Sequence, residues 1–90
     1  MRKYRFDNTN GLNSPAGQEL LLTLDDYEIW YRITLKDPDD KEAWLMLQDC
    51  ESYILDEPSV RYFIDDPGEY LYELDKIIEA EFRRRMECQL

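Results

Sequence analysis

Carboxylates and phenols are the side chains of this chain best placed to do chemistry. There are 21 Asp and Glu and seven Tyr, against 11 Lys and Arg, two Cys and no His. Without imidazole, Ser-His-Asp and Cys-His nucleophile pairs are excluded, as are histidine zinc sites. Two Cys cannot close a four-thiolate zinc site. None of Gly11, Gly17 and Gly68 is followed by Lys-Ser or Lys-Thr, so there is no phosphate-cradling loop. Asp37-x-Asp39 starts like a calcium loop, but Lys41 and Glu42 stand where a third ligand and a glycine are needed. Paired carboxylates can cleave glycosides, yet ninety residues leave little room for a substrate cleft. The expectation is a protein that is no enzyme and holds no metal or cofactor.

Cys50 and Cys88 lie 38 residues apart. Secreted disulfide scaffolds of this size usually carry four or more Cys. The pair reads as two reduced thiols, one of them buried, with a bridge between two helices as the alternative.

The net charge is −10, and it is unevenly laid out. Residues 1–6 carry Arg2, Lys3 and Arg5 and no acid, and residues 83–90 carry Arg83, Arg84 and Arg85 with Glu87. Between them, residues 7–82 hold 20 acids and 5 bases, which is −15. Phosphate backbones and anionic lipid repel such a body, so direct nucleic-acid and membrane binding are disfavoured. A basic protein surface is its complement. No apolar run approaches the ~18 residues of a membrane span. The basic start lacks the apolar stretch of a signal peptide, so the expected location is cytoplasmic.

Acid pairs recur at Asp25-Asp26, Asp39-Asp40, Asp56-Glu57 and Asp65-Asp66, where turns and helix starts use Asp. Position does not explain Glu28, Asp49, Glu51, Glu73, Asp75, Glu79 and Glu81, which fall within elements. Tyr gives large contact area at low entropic cost. Tyr70 and Tyr72 flank Leu71, so they cannot both face the core. The residues expected to bind a partner are Asp39, Asp40, Glu69, Tyr70, Tyr72, Glu73 and Asp75. Arg83-Arg84-Arg85 suits a helix C-terminus. It could also pair with the protein's own acids or with a second copy in a homodimer.

The elements that must position these groups follow from period and punctuation. Residues 2–6 alternate and read as a short strand, and residues 7–17 as a loop. Leu20, Leu22 and Leu24 alternate, as do Tyr27, Ile29, Tyr31, Ile33 and Leu35, with Asp25-Asp26 between. This reads as a hairpin over 19–35, while a helix started by Ser14-Pro15 competes. Asp37-Pro38 starts a helix that runs to about Leu55, with Ala43, Trp44, Met46, Leu47, Cys50, Tyr53 and Ile54 as its apolar face. Residues 58–64 are a short helix or a strand. Asp66 caps the last helix, Glu69 sits at N3, and Leu71, Leu74, Ile78 and Phe82 form its buried stripe to near Met86. The expected fold is one α+β domain over 1–90, a three-stranded antiparallel sheet followed by two main helices. An all-α bundle is the alternative.

Asp37-Pro38-Asp39-Asp40-Lys41-Glu42-Ala43-Trp44-Leu45 resembles the junction between tetratricopeptide repeats. No second copy follows 34 residues later, so nothing carries over from that family. In size and charge the chain resembles the small acidic bacteriophage proteins, anti-CRISPR and anti-restriction DNA mimics, that block host nucleases. That likeness implies an inhibitor competing with nucleic acid for the basic surface of a nucleic-acid-binding protein, acting in the host cytoplasm if phage-encoded. The alternatives are an immunity protein or antitoxin for a cognate toxin, and a structural or assembly adaptor.

Overall fold

The structure, a computed structural model, describes residues 4–88, with side chains through Met86. It is all-α: among the described residues there are helices α1 (Pro15–Lys36), α2 (Lys41–Asp56), α3 (Val60–Phe63) and α4 (Pro67–Cys88), and no strand. The expected three-stranded sheet, and with it the α+β class, is therefore wrong, and the all-α alternative fits. Residues 4–6 are not a strand; the rest of that expected strand lies outside the described residues.

The hairpin over 19–35 is the uninterrupted α1, and Asp25-Asp26 sits in mid-helix. Two local features start it. Ser14, extended at φ −72° and ψ 164°, accepts the Gly17 N–H at 3.3 Å, and Pro15 occupies the first turn. Gly11, at φ 81°, takes the left-handed conformation that turns the chain into this cap. Gly17, Leu20, Leu24, Tyr27 and Thr34 are buried, at helical spacing. Leu22 and Ile29, which a hairpin would have put inside, are 62% and 55% exposed. The alternation was an overlay of two helical stripes, one buried and one facing water.

Helix α2 starts later than expected. Asp40, not Asp37, is its N-cap and accepts the Ala43 N–H at 3.0 Å. Asp37 instead accepts the Asp39 N–H at 3.2 Å, closing a turn that holds Pro38 outside the helix. Trp44 lies exposed, its Nε1 donating to the Pro38 carbonyl at 2.8 Å. Residues 58–64 contain the short α3, because Val60, Phe63 and Ile64 all turn inward at i, i+3, i+4. Asp66 caps α4 through the Glu69 N–H as expected, and Leu71, Leu74 and Ile78 are buried in its stripe, while Phe82, expected to complete it, is only half-buried.

Three hydrogen-bonded pairs set the direction of α4 against α1. Tyr27 meets Asp75, Tyr31 meets Glu79 and Arg32 meets Glu81. The near-constant offset of 48 or 49 residues means the two helices run parallel. Helix α2 runs back after a four-residue turn and packs most closely on α1. One core, centred on Leu20, Leu24, Ile54, Ile64 and Ile78, joins all four helices. Among the described residues no helix is long and apolar enough to cross a membrane.

Gly17 is where α1 passes closest to the preceding turn. A Cβ there would lie 2.5 Å from the Leu12 backbone and 2.6 Å from the Gly11 carbonyl. Backbone cannot give way as a side chain can. Gly17→Ala is expected to destabilise the fold by about 1–3 kcal/mol in urea titration. Gly68→Ala meets only ordinary contacts at 3.6 and 4.0 Å, and should be neutral or gain about 0.5 kcal/mol.

Candidate functional site

The N-terminal segment builds one wall of a cleft. Its anchors are backbone and aromatic. The Asp7 N–H donates to the Phe63 carbonyl at 2.9 Å, and Asp7 Oδ2 accepts the Asp65 N–H at 2.8 Å. Phe6 stacks on Tyr70 with ring centroids 6.4 Å apart. The Tyr4 hydroxyl reaches Asp25 Oδ1 at 2.9 Å and Glu28 Oε2 at 3.1 Å on α1. These ties hold residues 4–7 across the start of α4.

Between that segment and α4 lies an open groove of about 870 Å³. Its floor is apolar: Phe6, Ile64, Tyr70, Leu74 and Ile77. Its rim carries five carboxylates, Asp7, Asp65, Asp66, Glu69 and Glu73, and one base, Arg5. Such a groove suits a ligand with cationic tips on apolar stems, since Lys and Arg bury their stems and keep their charges at a rim.

Three of the seven expected partner-binding residues meet here: Glu69, Tyr70 and Glu73. Tyr70 belongs to the floor, where burial pushes its phenol well above its ordinary value. Tyr72 points elsewhere on α4, exposed, with Lys76 Nζ 4.2 Å from its ring centroid. Asp39 and Asp40 lie on the turn between α1 and α2. Because α1 and α4 run parallel, that turn sits about 20 Å along the bundle from Glu69 and Glu73.

Asp75 is a structural residue. Its Oδ1 accepts the Tyr27 hydroxyl at 2.5 Å, and burial raises its pKa against the opposing effect of that hydrogen bond. Tyr31 donates likewise to Glu79 at 2.7 Å, and the two Tyr rings lie 5.8 Å apart. Arg32 bridges Glu28 at 2.8 Å and Glu81 at 2.5 Å. So Glu28, Asp75, Glu79 and Glu81, which position in the sequence left unexplained, are held by Tyr and Arg of α1 and by Tyr4. Five other acids, Asp7, Asp65, Asp66, Glu69 and Glu73, line the groove.

No family model, curated protein or solved structure matches the chain.

The site therefore rests on its own chemistry. Among the described residues no three Cys, Asp or Glu side chains converge to hold a metal ion. Cys50 carries a free, half-buried thiol. Burial, with Asp26 and Asp49 nearby, raises its pKa, the reverse of what activates a thiolate. The expected choice between reduced thiols and a Cys50–Cys88 bridge falls on a side chain outside the described residues. Sequence reasoning missed Tyr4, Arg5, Phe6, Asp7, Ile64, Asp65, Asp66, Leu74 and Ile77 as site residues. Asp65-Asp66 was visible as a pair but reads as a cap; only the docking of Asp7 on Asp65 turns it into a rim.

Proposed function

We propose that this chain acts by binding, and that its groove takes a basic protein surface in place of nucleic acid. The observation that carries the reading is the row of carboxylates along the groove, Asp7, Asp65, Asp66, Glu69 and Glu73. Carboxylates on that rim would engage the Lys and Arg that otherwise hold phosphates. Phosphate contacts supply much of nucleic-acid affinity, so occupying those cations competes effectively. The floor adds desolvated apolar contact at the centre, where binding energy concentrates.

The test is affinity capture from a bacterial lysate with the natural chain and with Asp65→Asn/Glu69→Gln/Glu73→Gln, each with and without excess duplex DNA. The expected result is capture of a nucleic-acid-binding protein that DNA displaces. The triple variant should retain about a tenth of it or less, a loss of about 1.4 kcal/mol or more. Equal capture by both chains would end the groove reading. Capture that the variant abolishes but DNA leaves untouched would favour an immunity protein or antitoxin for one cognate partner. The apolar floor is what favours that second reading, since mimicry of phosphates needs none.

A further inference from the structure

Helix α4 carries a second seam beside its buried stripe. Glu73, Ile77, Ala80 and Arg84 recur at intervals of four, three and four residues, the spacing of a helix-pairing heptad. All four are exposed, and Ile77 is 48% exposed. The seam is acidic at its N-terminal end, apolar in the middle and basic at its C-terminal end. Such a pattern is complementary to itself when reversed.

We infer that α4 pairs antiparallel with α4 of a second copy of this chain, about a two-fold axis between Ile77 and Ala80. In that register Glu73 faces Arg84 of the second copy, and Ile77 faces its Ala80. The two-fold makes each pairing twice. Ala80 leaves the space that the bulkier Ile77 fills. The second copy's C-terminal half of α4 then lies beside the groove, whose floor includes Ile77 and Leu74. There Arg84 of the second copy meets Glu73 on the rim of the groove.

Charge complementarity selects a second copy as the occupant. Acid and base are presented on one helix face, 11 residues or about 17 Å apart, so a reversed copy matches both ends at once. Lys76 and Arg83 flank the seam and approach one another across it. Each has an acid within one turn of its own helix, Glu73 for Lys76 and Glu79 for Arg83. The net −10 of each copy opposes association at long range, but salt screens it beyond about 8 Å at physiological ionic strength. One helix pair and a groove make a small interface, so the dimer is weak and forms at high concentration. It covers Glu73 and Ile77, so a dimer has no open groove.

The inference goes beyond the proposed function and does not depend on it, because the test uses the pure protein alone. Sedimentation equilibrium is run from micromolar concentrations to about 1 mM, a range in which small interfaces assemble. The chains are the natural one, Glu73→Arg, Arg84→Glu and the double exchange Glu73→Arg/Arg84→Glu. The natural chain should move towards twice the monomer mass. Each single change sets like charges opposite twice and should weaken association about tenfold. The double exchange should restore it, and so should mixing the two single variants, whose charges match across the pair. Helix content by circular dichroism should be unchanged throughout, since all of these positions are exposed. A natural chain that stays monomeric, single variants that associate as well as it does, or a double exchange no better than the singles overturns the inference.

Discussion

Leu24→Ala should cost about 2–5 kcal/mol of folding free energy, while Leu22→Ala should stay within about 0.5 kcal/mol. The two residues are the same type, two positions apart. Leu24 is fully buried in the hydrophobic core, and truncating it leaves a cavity there that close packing cannot refill. Leu22 faces water, and its loss removes little. A strand would set both on one face and make the two costs alike. Urea titration followed by circular dichroism at 222 nm, a helix wavelength, reads both variants against the natural chain. Equal losses would refute the helical assignment of residues 15–36.

The second large effect is an early and cooperative alkaline unfolding. Burial holds the phenols of Tyr4, Tyr27, Tyr31 and Tyr70 well above their ordinary value near 10. Hydrogen bonds to carboxylates push the first three further in the same direction. In the unfolded chain these phenols ionise near pH 10. In the folded protein they keep their protons. Their contribution to stability is therefore complete below about pH 10 and is lost as pH rises above it. Tyr27 is 2% exposed, and by itself removes about 1.4 kcal/mol for each pH unit beyond 10. The other three add in the same direction, with smaller effects where solvent screens them. Helix loss and tyrosinate absorbance should rise together above pH 10. Tyr27→Phe should flatten that slope, although it strands the Asp75 carboxylate and lowers stability at neutral pH by about 1–3 kcal/mol. Titration of Tyr4, Tyr27, Tyr31 and Tyr70 near pH 10 while the helices remain intact would contradict the burial of this tyrosine layer.

A small part of the candidate site was open to reading, and the rest was hidden for a definite cause. Glu69, Tyr70 and Glu73 lie on one helix with a clear cap, so their neighbourhood follows from spacing. Tyr4, Phe6 and Asp7 are 58 or more residues from Asp65 and its neighbours along the chain. Nothing local shows that a turn-rich start folds back on a distant helix cap. Asp75 looked available because its charge falls within a helix, yet it answers a tyrosine 48 residues earlier. Charge along a sequence does not say which acids already have a donor.

By itself the sequence determined what is written in periods, caps and composition. These are the final helix with its Leu71 stripe, the α2 helix, the acidic body with basic ends, and the absence of any imidazole chemistry. They are local or additive properties, and neighbouring residues suffice to express them. Tertiary structure alone decided between hairpin and helix for residues 19–35. Leucines and aromatics at alternate positions satisfy both periods, and only the partner surfaces of α2 and α4 select the face to be buried. It likewise decided which carboxylates are paired inside the fold and which line the groove. That sorting depends on donors brought together by the parallel packing of α1 and α4, which no stretch of sequence contains.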